Sequence, residues 1–520
     1  MFPERKFLKI YPFFFWLALL ISLLLIYHSS FYNFFFGDDF YNLMLAKTDR
    51  LSAVVNFFNP VKAPLEFPFY RPLTTQFYFW LGEKLFNLNP LGYHIINFSF
   101  FFISIILVFY LTKLLLKDKL ITYLTTFFYA FSTSHFYRLY FLTQFQELGL
   151  TVFYFLSVIL YVLFRKSKRI SYYFFSLIIF IVAITCKETA VTLPLILLLV
   201  ELFFFKKSNF TKWLMKTIIY LFSYLFILLG YLYLRLAFFG FSQGNEYIFV
   251  FKLKSVVNNL LWYILWAIGI PENFVNVKLI DNFYLINPEF FTNFGREGAV
   301  VMPFFIIFIF FLLLGIKIFT LQIKEKYILK DIKMLLFAVF WFLGTIVLVM
   351  FFPFHKFSYS LALPLWGIAL FLALLIRKLN NFSYTFFFMS LLIYLLVNIS
   401  SSVYAVKNHW TVNRAKLAQK VFTYLEKNYL YFPNGSTICF SDSNMSIPFE
   451  DKFKTNRLSF SKELDDVLVG SKGIEAFYSF NNLVKTKNQD TKVLFEYNSL
   501  GNEDNKNNSI IISARQFFEN

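Results

Sequence analysis

The sequence predicts an all-α polytopic membrane protein, and three observations carry that prediction. Of 520 residues, 58% are hydrophobic and only 15% charged, against roughly a quarter charged in an average globular chain. Apolar runs near the ~20 residues needed to cross hydrocarbon recur along the chain. Basic residues gather at alternate ends of those runs, as the positive-inside rule requires.

The runs extend from Ile10 to Tyr27, Tyr93 to Leu116, Leu120 to Ser134, Phe145 to Phe164, Ile170 to Cys186, Ala190 to Phe205, Trp213 to Leu236, Ala299 to Phe319, Met334 to Phe352, Phe357 to Ile376 and Phe382 to Tyr404. They predict about 11 transmembrane helices within a core spanning 1–404. The first run follows a basic start, but it is long and lacks a small-residue cleavage site. It reads as a retained helix rather than a signal peptide. With a cytoplasmic N-terminus, the inner loops "RKFLK", "KLLLKDK", "RKSKR" and "KIFTLQIKEKYILKDIK" are all basic. The protein is then expected to be multi-pass in the plasma membrane with an extracytoplasmic C-terminus. The net charge of +19 sits in such loops and does not call for nucleic acid. "SVVNNLLWYILWAIGIP" (255–271) breaks the parity if it spans, so it is expected to be re-entrant or to lie on the outer surface.

Two outer segments are large. Within 29–92, apolar residues from Phe40 to Phe58 and again along "RPLTTQFYFWLGEKLF" recur at helical spacing, predicting amphipathic interfacial helices. The tail, 405–520, is polar, with strand-like "STICFS", "KVLFEY" and "SIIIS" and helix-like "NRAKLAQKVFTYLEK". It is expected to be a small extracytoplasmic α/β domain whose removal leaves the membrane core folded. Cys186 and Cys439 give neither a disulfide framework nor a metal site and read as unpaired thiols.

Charge near hydrocarbon is costly, so polar groups at the outer ends of the runs are the informative ones. They are Asp38, Asp39, Arg71, His94, His135, Arg138, Glu147, Lys187, Glu188, Arg235, His355, Lys356 and Tyr359, with Asn97 beside His94. Each has a plainer reading. Asp38 or Asp39 would suit a helix N-cap, Lys187 and Glu188 a solvated ion pair, Arg71 a snorkelling side chain. Placed at one membrane level, they predict an outer cavity mixing carboxylates with cations. A transporter or lipid-linked-oligosaccharide flippase would also need outer charge. It should, however, show midplane charges or paired broken helices, whereas these charges lie at run ends. A non-catalytic membrane scaffold is the other alternative.

The stretches "GDDFYNL", "FYRPLTTQFYFWLGEKLFNLNPLGYHIINFSFF", "CKETAVTLPLILLLVEL", "HKFSYSLALP" and "NHW" resemble the GT-C membrane glycosyltransferases. The resemblance is to the dolichyl-phosphate-mannose protein mannosyltransferase branch and to the transmembrane mannosyltransferases that carry tetratricopeptide repeats, which the tail here lacks. It implies a GT-C fold and an inverting transfer of a sugar from a polyprenyl-phosphate donor to a protein, lipid or polysaccharide acceptor. It implies Asp38 as base, with Asp39 orienting it, and Arg71, Lys187, His355 and Lys356 on the donor phosphate. His94, Asn97, His135, Arg138, Glu147, Glu188 and Tyr359 are further substrate-site candidates. No cofactor is required; a divalent metal on Asp38 and Asp39 is allowed by their chemistry. Phe101, Phe145 and Lys356 stand where the family often has His, Arg and Arg.

Overall fold

A computed structural model describes residues 4–61, 69–206, 209–240, 245–274, 295–321, 328–429, 437–442, 460–480, 492–495 and 509–518. The chain begins with α1 (Glu4–Tyr27). The first outer segment holds α2 (Asp38–Leu45), α3 (Leu51–Asn56) and α4 (Tyr78–Phe86). Next come α5 (Pro90–Leu116), α6 (Lys119–Ala130), α7 (Phe136–Tyr140), α8 (Phe145–Ser167), α9 (Ile170–Cys186), α10 (Leu193–Val200) and α11 (Phe210–Leu234). The second half of the bundle is α12 (Leu253–Ala267), α13 (Gly295–Leu321), α14 (Ile328–Ile346), α15 (Pro364–Phe382) and α16 (Tyr384–Asn408). The tail adds α17 (Trp410–Asn428), α18 (Phe460–Leu468), α19 (Lys472–Phe480) and strands β1 (Thr437–Ser441), β2 (Lys492–Phe495) and β3 (Ser509–Ser513).

Local chemistry sets the helix ends. Asn89 caps α5 by accepting from the Leu91 amide, with Pro90 in the first turn, and Lys117 closes it in the left-handed region. Asp118 then caps α6 through the Ile121 amide. Short side-chain acceptors and an N-terminal proline are what an exposed first turn favours. Proline also corrects an expected boundary. The run from Phe357 does not begin a helix there, because α15 opens at Pro364 and "SYSL" forms a 3₁₀ turn before it. The run from Leu120 likewise ends at Ala130, where Ser132 caps a separate 3₁₀ turn.

All eleven apolar runs contain helix. Among the described residues, seven stretches are long and apolar enough to cross a membrane: Pro12–Tyr32, Pro90–Leu116, Leu142–Ser167, Glu188–Phe205, Phe210–Phe239, Gly298–Leu321 and Tyr384–Asn428. Their outward faces carry exposed Leu25, Ile219, Phe226, Phe310 and Phe388, an apolar surface that suits lipid and not water. Inside, α8 packs most extensively on α9 and α5, α14 on α15, and α13 on α16. At the end of the bundle opposite Asp38, Arg377 joins Asp118 (3.0 Å) and Asp331 (2.7 Å).

Residues 253–267 form a helix of 15 residues, ~22 Å at 1.5 Å per residue and shorter than the hydrocarbon core. Asn259 donates to the Met350 carbonyl (2.9 Å), tying α12 to the turn after α14. The expected continuous helix from Phe40 to Phe58 is broken between Leu45 and Leu51, and "PLTTQF" is a π-helical turn leading into α4. In the tail, β1 lies between β2 and β3, parallel to both, with Thr437 opposite Lys492 and Ser509.

Candidate active site

The phenylalanine run explains how the carboxylate pair is held. Phe35 and Phe36 are fully buried. Phe36 stacks on Phe141 (4.5 Å between centroids) and Phe35 meets Tyr93 edge-on. Gly37 follows at φ +55°, ψ −132°, and the Asp39 amide returns to the Phe36 carbonyl (3.2 Å). That is a type II′ turn, which wants glycine at its first central position. The turn delivers Asp38 and Asp39 as the first two residues of α2.

The two carboxylates then part in role. Asp39 is fully buried. One of its oxygens accepts from the Thr143 amide and hydroxyl (both 2.7 Å), the other from the Phe36 amide (3.3 Å). It thereby fastens the turn to the segment opening α8. Burial pushes its pKa up to about 8, against three hydrogen bonds that favour the charged form. Replacing it with Asn turns an NH₂ group toward a donor. Asp39→Asn is expected to cost about 1–3 kcal/mol, the scale of a buried hydrogen bond left unmade, seen as a lower melting temperature.

Asp38 is different. It is exposed, and it has no hydrogen bond or ion pair among the described residues. The helix cap is Gly37, with no side-chain bond to the first turn, so Asp38 does not serve as a capping side chain. Although the residue is exposed at the surface, desolvation by the surrounding protein raises its pKa, while the charges of Arg71, His355 and Arg414 lower it and that of Glu246 raises it.

Arg71 precedes Pro72, which opens the π-helical turn. Its guanidinium grips Glu188 through Nε (2.6 Å) and a terminal nitrogen (2.7 Å). The other terminal nitrogen bonds Gln146, and the plane lies over the Phe69 ring. Of five N–H donors, two remain for another partner. Lys187 sits in extended backbone, where consecutive side chains point to opposite sides. It therefore turns away from its neighbour and binds Glu147 (2.6 Å) beneath the Tyr359 ring (4.7 Å). His355 reaches the Tyr359 hydroxyl (2.9 Å) and Glu246 (3.6 Å). Arg71 with Glu188 and Gln146 forms one group of contacts, and Glu147, Lys187, Tyr359, His355 and Glu246 form a second, joined to the first through the backbone at Gln146–Glu147 and Lys187–Glu188.

Lys356 lies apart from it. It is 4% exposed, has no ion pair or hydrogen bond among the described residues, and burial alone lowers its pKa to about 8. The remaining candidates make their hydrogen bonds within the helix bundle. His94 bonds the Asn33 carbonyl (2.8 Å), and Asn97 accepts from Tyr78 (2.7 Å). Arg138, 1% exposed, donates to His135 (2.8 Å). Phe145 stacks on Tyr78 at 4.0 Å and Phe101 packs on the His135 ring.

Sequence reasoning missed Thr143 and Gln146, although "TQFQE" placed both within a turn of Glu147. It also missed Glu246, which carries no periodic signal. Among the described residues, no three His, Cys, Asp or Glu side chains cluster as metal ligands. Among the described residues, neither Cys186 nor Cys439 forms a disulfide.

Residues 70–233 match the family model described as dolichyl-phosphate-mannose-protein mannosyltransferase. No curated protein matches the chain. The matched segment contains Arg71, Glu147, Lys187 and Glu188, and Asp39 is hydrogen-bonded into it at Thr143. Residues 70–233 are thus similar to a mannosyltransferase family, in a chain whose seven long apolar helices, counted among the described residues, suggest a multi-pass membrane protein.

Proposed function

We propose that this protein is an inverting glycosyltransferase that moves a sugar from a polyprenyl-phosphate donor to an acceptor hydroxyl at the outer face of the membrane. The single observation that carries the reading is Asp38, a carboxylate with no hydrogen bond or ion pair among the described residues, acted on by Arg71 and His355 and held by a turn bonded into the matched segment.

In the scheme, Asp38 takes the acceptor hydroxyl proton as the oxygen attacks the anomeric carbon. The bond from that carbon to the phosphate oxygen breaks, and polyprenyl phosphate leaves. One base suffices for a single inverting displacement, whereas a retaining route needs a second carboxylate as nucleophile. Asp39, with both oxygens already accepting bonds, is the residue that positions the base. Arg71 offers its two unspent N–H groups to the leaving phosphate, and His355 offers a ring nitrogen as a further donor. The scheme draws on no cofactor.

The test is direct. Purified protein in nanodiscs with a polyprenyl-phosphate mannose should release polyprenyl phosphate, whereas a nucleotide-sugar donor should not be consumed. Consumption of the nucleotide sugar alone would remove the donor assignment. A panel of polyprenyl-phosphate hexoses and pentoses then identifies the sugar.

A further inference from the structure

The tail closes over the Asp-Asp turn. The Gly37 amide donates to the Val467 carbonyl, 2.7 Å away and 430 residues later. Phe422 of α17 stacks on Phe40 (5.2 Å, 15° between planes) and meets Phe34 edge-on (5.0 Å). Trp410 meets Phe36 and Phe141 edge-on. Lys47, just beyond α2, bonds Ser479 of α19 (2.9 Å). The residues touched are those flanking the two carboxylates on both sides. Arg414 lies over the Trp410 ring (5.3 Å), held by Glu463 (2.9 Å) and Asp466 (3.4 Å), which ties the indole to α18.

We propose that the segment after the last apolar helix is a positioning clamp on the Asp38–Asp39 turn. Trp410, Phe422 and the Val467 carbonyl hold the turn. A glycine turn has the most backbone freedom to lose, so a rigid external partner is what keeps such a carboxylate in one place. Removing the tail would uncover Phe34, Phe36 and Phe40, so the turn and the tail form one unit.

Full-length Trp410→Ala and Phe422→Ala proteins, followed by hydrogen exchange, test the clamp without reference to activity. Exchange in the peptide spanning 34–45 should speed up by about tenfold or more, as expected when a local tie is cut, while peptides from α8 stay protected. Unchanged exchange at 34–45 in both variants overturns the clamp. Should neither variant fold, Trp410→Phe and Phe422→Leu provide the same reading at smaller amplitude. Loss of the clamp signal and retention of activity in Asp38→Asn are separate failures, so the two readings fall independently.

Discussion

Asp38→Asn is expected to keep the melting temperature of the parent protein and to lose sugar transfer by about 10²–10⁴-fold, the scale of general-base catalysis. The fold is spared because Asp38 has no hydrogen-bond or ion-pair partner among the described residues, and because the helix cap is Gly37. Activity is lost because an amide cannot take the acceptor proton. The pH dependence follows from the same environment. Crowding raises the pKa of Asp38, and only the ionised form is a base. Transfer should therefore fall as pH drops through that raised pKa, with the acid limb above the ordinary carboxylate range. An Asp38→Asn protein that transfers sugar at the parent rate would pass the role to another carboxylate, with Asp39 next in line.

Lys187→Met should lower stability by roughly 3–5 kcal/mol, the usual consequence of removing one partner from a buried ion pair. The sequence reading gave Lys187 to the donor phosphate. In the structure its ammonium is already balanced by Glu147 at 2.6 Å, with side-chain exposures of 9% and 3%. The substitution strands a buried carboxylate, and the melting temperature in detergent should fall sharply. Changing both residues, Lys187→Met with Glu147→Gln, should recover much of the loss, since no charge is left unpaired. The exposed pair Lys84–Asp49 (2.9 Å) is the control. Breaking it should cost no more than about 1 kcal/mol. A Lys187→Met protein as stable as that control would show that the Glu147 pairing contributes little.

Much of the architecture was legible without coordinates. The apolar runs announced helices because a backbone in hydrocarbon must satisfy its own hydrogen bonds. The caps at Asn89 and Asp118 and the prolines at 90 and 364 are local signals, yet runs drawn by hydropathy began at Tyr93 and Phe357 and passed over them. The tail's strand-like segments likewise carry enough pattern to be recognised. Span boundaries were less secure. Nothing in "LITYLTTFFYAFSTS" says that its helix stops at Ala130, because hydropathy continues past the point where Ser132 begins a new turn.

The site divides along the same line. Residue type and placement at span ends were enough to nominate Asp38, Arg71, Lys187 and Glu188, because charge beside lipid needs a reason. Which of two adjacent aspartates is free, and which is tied, was decided by Thr143, 104 positions away. Which carboxylate each cation takes was decided by the extended backbone at Lys187, which throws Lys187 and Glu188 to opposite sides. That the tail grips the turn before Asp38 was decided by Val467 and Phe422. Local composition and periodicity determined the helices and the list of charged candidates, since those follow from a residue and its near neighbours. Pairing and contacts between residues far apart in the chain were left to the tertiary structure, because a carboxylate's role depends on which groups surround it once the helices have packed.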